Sequence, residues 1–239
     1  MQQNQTTSAL SLGLCIFAGL ACLGFFLSNA AIRYKEYERT VTVKGLSERD
    51  MPADIVIWPV QFAVADNDLG KLYAVLENHT QAIKSYLSQA GIKDTEITVS
   101  PPAITDKLAQ SYSNTSPIDF RYTALQTVTV YSSNLTLARS LMSGISELGK
   151  KGIALSGASN GQVEEYLYTQ LNQIKPEMIQ EATTKAREVA QKFAGDSNSQ
   201  LGKIKQASQG QFTIEPRDTN NPHIKKIRVV STVEYYLSD

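Results

Sequence analysis

From Thr40 onward the apolar residues of the chain alternate between a strand-like and a helix-like period. Val41 and Val43 interleave with threonines, and Gly45 to Pro52 carries the residue types of a turn. Val56, Trp58, Val60, Phe62 and Val64 then recur at every second position, which predicts a strand, with Ile55 and Ile57 thickening its other face. Pro59 has no N–H to give to a ladder, so an edge or a bulge is expected there. The next run, "DLGKLYAVLENHTQAIKSYLSQAG", places Leu69, Leu72, Tyr73, Leu76, Ile83, Tyr86 and Leu87 at helical spacing and ends on Gly91. "TEITVSPP" reads as a short strand, a polar loop surrounds "AQSYSNTSPID", and "FRYTALQTVTVYS" reads as a long strand.

The second half repeats the scheme. Asn134 is placed to cap a helix over "LTLARSLMSGISELG", and Asn160-Gly161 predicts a hairpin between two strand-like runs. Pro176 suits the first turn of "PEMIQEATTKAREVAQKFAG", where Met178, Ala182, Ala186, Val189, Ala190 and Phe193 form one stripe. Its small alanines would let the helix lie close against a sheet. "LGKIKQASQGQFTIEP" and "IKKIRVVSTVEYYL" predict two closing strands, the last with Ile227, Val229, Val233, Tyr235 and Leu237 on one face. Helices interspersed with paired strands imply an α+β fold with a largely antiparallel sheet and packed helices.

Ahead of this pattern, Ala9 to Ile32 carries no charge, and only Ser11, Ser28 and Asn29 interrupt it as clearly polar residues. As a helix it would reach roughly 36 Å, against a hydrocarbon core of about 30 Å. A single transmembrane anchor is therefore expected over residues 9–32, between a polar N-terminus at 1–8 and a domain at 33–239. The alternative is a cleaved signal peptide, because Ser28-Asn29-Ala30 resembles a small-x-small cleavage site. The apolar run exceeds the usual signal core of about 7–15 residues and no Lys or Arg precedes it, which favours retention. Arg33, Lys35 and Arg39 follow the segment. They would be cytoplasmic by the positive-inside rule, a rule that weakens for large translocated domains.

Composition changes the picture mainly by exclusion. The 239 residues balance 23 Lys+Arg against 23 Asp+Glu, so no global charge draws the chain to nucleic acid. Both cysteines, Cys15 and Cys22, lie inside the apolar segment, which leaves the domain without a disulfide, a thiol nucleophile or a thiolate metal site. Neither "LGLC" nor "GLAC" fits a lipid-attachment box.

Candidate chemistry is sparse. His79 reads as a surface residue of the first domain helix, and His223 follows Pro222 in a polar turn. No Gly-x-Ser-x-Gly elbow, phosphate cradle or clustered ligand set accompanies them, so neither a metal nor another cofactor is expected. Glu48 and Asp50 read as solvated acids. The basic cluster Lys225 to Arg228 reads as a solvated strand flank, because Ile227 belongs to the strand pattern. Trp58 reads as a core aromatic.

Three segments, "VTVKGLSERDMPADIVIW", "FRYTALQTVTVY" and "EATTKAREVAQKFA…LGKI", resemble in order and spacing the SIMPL-domain (DUF541) proteins of bacterial envelopes. The resemblance implies an α+β SIMPL-like fold, export to the periplasm, homo-oligomers, and a loosely defined role in envelope or oxidative stress defence. It supplies no catalytic residue. Together with the apolar segment it leads to the expectation of a non-catalytic protein, anchored in the bacterial inner membrane and facing the periplasm, that self-assembles. Trp58, Pro59, Ile227, Val229 and Tyr235 are the expected assembly surface. The competing expectation is an enzyme or small-ligand-binding protein with a polar site near the Gly45–Asp54 turn.

Overall fold

A computed structural model describes residues 3–36, 39–109, 119–156 and 163–238. Helix α1 (Gln3–Glu36) covers the apolar segment. The span expected over residues 9–32 is not found: among the described residues no helix is long and apolar enough to cross a membrane. The side chains of residues 9–12, 15 and 32 lie outside those described, so the described part of the segment is shorter than the expected span.

Strand β1 (Thr40–Pro52) runs straight through the residues read above as a turn. Period-two alternation continues across them, with Val43, Gly45 and Ser47 buried and Lys44, Leu46 and Glu48 exposed. Gly45 and Ser47 are therefore inward strand positions, and the chain breaks only at Ala53-Asp54. Strand β2 (Ile55–Asp66) follows, then helix α2 (Leu69–Gln89), capped by the Asp68 carboxylate, which accepts from Lys71 N at 3.0 Å. Gly91, at φ 107°, adopts the left-handed backbone expected of a helix stop. A single 3₁₀ turn leads into β3 (Ile97–Val99), β4 (Ala103–Asp106) and the long β5 (Tyr122–Ser132).

Helix α3 (Leu135–Ser143) starts where Asn134 predicted it, and the Asn134 side chain accepts from Leu137 N at 3.1 Å. After α4 (Ser146–Lys150) come β6 (Ala154–Ser156) and β7 (Glu165–Leu167). These do not pair as a hairpin. Both run antiparallel to β2, β6 against residues 61–63 and β7 against residues 55–57, because β2 is long enough to hold them in line. Asn160 and Gly161 lie outside the described residues. Helix α5 (Leu171–Asp196) begins a turn earlier than expected, so Pro176 lies inside it and removes one helical hydrogen bond. Strand β8 (Gln200–Gln209) and β9 (Thr213–Pro216) replace one expected strand, and β10 (Ile224–Ser238) closes the chain.

The fold is α+β with antiparallel sheets and packed helices. One sheet has the order β1-β10-β8, with β9 also on β10; the other has the order β3-β5-β2-β6, with β4 on β5 and β7 on β2. The chain divides into two compact units. In the first (Met1–Glu48, Lys175–Thr213 and Arg228–Asp239), α5 packs on the sheet through Met178, Ala182, Ala186, Ala190 and Ala194, one residue per turn. Val189 and Phe193, expected in that stripe, are exposed. In the second (Arg49–Ile174 and Ile214–Ile227), β2, β5 and α2 enclose a core that includes Val56, Phe62, Leu72, Ile83, Val128 and Val130.

Candidate functional site

The expected assembly surface is not presented by the residues chosen for it. Trp58, Ile227, Val229 and Tyr235 are 6%, 0%, 1% and 3% exposed and belong to the interior of the chain itself. The strands that carry them are not edges either: β10 lies between β1 and β8, and β2 between β5 and the β6–β7 pair. Pro59 pairs with Thr129 on one side and falls between the residues that hold β7 and β6 on the other. A missing N–H is tolerated there because, among the described residues, no partner strand is placed to receive it.

The break between β1 and β2 has structured surroundings. Ala53 N donates to the His223 carbonyl at 2.8 Å, and Asp54 N to the Leu167 carbonyl at 2.9 Å. The Asp54 carboxylate accepts from Thr169 N at 2.9 Å and from Thr169 Oγ1 at 2.9 Å. Asp54 thus ties the start of β2 to the segment that leaves β7.

Beside that tie opens a cleft of about 530 Å³, lined by residues of β7 and its flanks together with Ile214, Pro216, Pro222 and Lys225. The strand alternation of Ile227, Val229 and Val233, extended backward by one step, lands on Lys225 and turns it inward. Lys226 and Arg228 face out, so the basic cluster is solvated only at alternate positions. Lys225 is 8% exposed. Among the described residues no hydrogen bond or ion pair reaches it, and burial holds its ammonium below the ordinary range against the weaker opposing field of Glu165.

Neither histidine lines this cleft. His79, expected at the surface, is half-buried with its ring 6.0 Å from that of Phe62, and its Nδ1 is buried without a hydrogen-bond partner. Burial lowers its pKa. His223 Nε2 lies 3.2 Å from an Arg139 nitrogen, its ring is 6.0 Å from that of Tyr166, and burial followed by the Arg139 charge lowers its pKa. Glu48 pairs with Arg228 at 3.1 Å on the solvated face. A second hollow, of about 420 Å³, adjoins Thr80 and Gln126. Two of its polar side chains are bonded to each other, Thr80 Oγ1 to Gln126 at 3.1 Å, and Gln126 Nε2 also donates to the Ser100 carbonyl at 2.9 Å. Among the described residues no group of three or more His, Cys, Asp or Glu converges as a metal site.

The family model described as SIMPL, "Protein of unknown function (DUF541)", matches residues 41–233. The chain belongs to the SIMPL family. No curated protein matches it. The SIMPL match begins on β1 and ends within β10, so it contains both Gly45 and the Lys225 cleft, while α1 lies outside it. The competing expectation puts a polar site near the Gly45–Asp54 turn, and Lys225 reads there as part of a solvated strand flank, although the period-two pattern of β10 already turns it inward.

Proposed function

We propose that this SIMPL protein is a membrane-attached, non-catalytic component of the bacterial envelope. In this reading it works by assembling with copies of itself, in envelope or oxidative stress defence. The observation that supports attachment is the surface of α1. Leu14, Phe17, Leu20, Phe25, Phe26 and Leu27 are all exposed, and at 3.6 residues per turn they lie round the whole circumference. Exposed large apolar side chains of this kind are suited to contact with lipid. The envelope address, the periplasmic face and the stress role rest on the family resemblance.

Assembly is supported by strand β8, which ends its sheet and is exposed at every position but Leu201. An edge of that kind offers unpaired backbone groups to a second copy, and a membrane raises the effective concentration of attached copies. The test joins liposome flotation with sedimentation velocity of the full chain in non-ionic detergent. The wild type is expected to float and to sediment as an oligomer, and a Phe17→Asp, Phe26→Asp double variant to lose flotation. A wild-type chain that stays with the soluble fraction removes the attachment reading. One that sediments as a monomer at every concentration removes assembly.

A further inference from the structure

A lysine that is buried for structural reasons ordinarily ends on a carboxylate or on carbonyl oxygens, because an uncompensated ammonium is costly away from water. Lys225 ends on neither among the described residues, although it is 8% exposed, and it lines an open cleft. The rest of the cleft suits an organic body. Tyr168, Ile214, Pro216 and Pro222 present flat or aliphatic walls, and about 530 Å³ is within the size range of small-ligand sites.

We propose that this cleft binds a small organic monocarboxylate, with the carboxylate on Lys225 Nζ and the apolar body against Tyr168 and the two prolines. The charge balance selects the ligand. Lysine is a compact point charge rather than a two-pronged fork, and it is the one cationic side chain lining the cleft among the described residues. Glu164 and Glu165 also line it and oppose a second negative charge. With one ammonium against two carboxylates in the lining, every added negative charge is opposed, so a monocarboxylate meets less repulsion than a dianionic phosphate. Ligand binding here goes beyond attachment and assembly and requires neither.

Isothermal titration of the full chain in non-ionic detergent tests the inference, with benzoate, its neutral analogue benzamide, and phenyl phosphate as probes. Benzoate is expected to bind saturably at one site, and benzamide and phenyl phosphate more weakly. Lys225→Met should weaken benzoate about tenfold, the scale of one charge-assisted bond, while Lys226→Met, on the exposed side of the strand, leaves it unchanged. Glu165→Gln should tighten benzoate binding by removing a like charge. If Lys225 served only to pair with Glu165, that variant would instead lose stability and gain no affinity, which refutes the proposal. Absence of benzoate binding, equal binding of benzamide, tighter binding of phenyl phosphate, or undiminished binding by a folded Lys225→Met protein overturns it as well.

Discussion

A Cβ placed on Gly45 of β1 would stand 1.8 Å from the carbonyl oxygen of Ala182 on α5 and 2.6 Å from the nitrogen of Ala186. The atoms it meets are backbone, so no side chain can rotate away; the helix itself would have to move. Ala182, Ala186 and Ala190 are each 0% exposed, and this small-residue seam lets α5 lie directly on the strand. Gly45→Ala is therefore expected to lower stability by about 3 kcal/mol, at the upper end of overpacking costs. Urea denaturation checks it, with Gly149→Ala as the control, since a Cβ there meets nothing within 4 Å. A near-neutral Gly45→Ala would show that the seam is not tight.

Lys225 carries a stability penalty as well as the proposed binding role. Its pKa is lowered, so the unfolded chain holds the proton more tightly than the folded one. The penalty is fully present below the folded pKa and is relieved as pH rises from there toward the ordinary value of 10.5. Lys225→Met should gain roughly 1 kcal/mol at neutral pH, and the gap to wild type should narrow in alkali. Thermal melts of both proteins from pH 7 to pH 10 show whether it does.

His79 titrates in the acid range by the same logic. Burial lowers its pKa below the ordinary 6.5, so the folded form resists protonation while the unfolded form accepts it. Stability should fall as pH drops through 6.5 toward the folded pKa, and then carry the full penalty. His79→Leu removes this contribution and also the unpartnered Nδ1. Denaturation curves at pH 7.5 and pH 5 should show the variant gaining on wild type in acid; parallel losses would assign the acid sensitivity elsewhere.

Asp54 and Thr169 form a pair whose coupling is measurable. Asp54→Ala removes the acceptor for Thr169 N and for Thr169 Oγ1, both at 2.9 Å, and should cost about 2 kcal/mol. Thr169→Val removes only the hydroxyl bond and should cost about 1 kcal/mol. In a double-mutant cycle the double variant is expected to lose clearly less than the sum of the two single losses, because the second substitution has less left to break. Additive effects would mean that the Thr169 hydroxyl contributes through something other than Asp54.

Much of this protein was legible in its amino-acid order. Alternation over Val56 to Val64 specified β2 with its buried face, Asn134 specified the start of α3, and the alanines after Met178 specified a helix able to approach a sheet closely. Those features depend on side-chain period and on local capping, which a chain carries without reference to its partners. The tertiary structure decided what depends on neighbours. Gly45 and Ser47 look like punctuation in isolation, and only the arrival of α5 makes them inward strand positions. Pro59 signals a missing hydrogen bond, but whether that lies at a sheet edge or between two in-line partners depends on where β6 and β7 dock. Lys225 belongs to a basic run by composition and to the buried face by period. The conflict is resolved by β10, whose apolar positions Ile227, Val229 and Val233 gain more by burial than one ammonium loses, and so carry that ammonium inward with them.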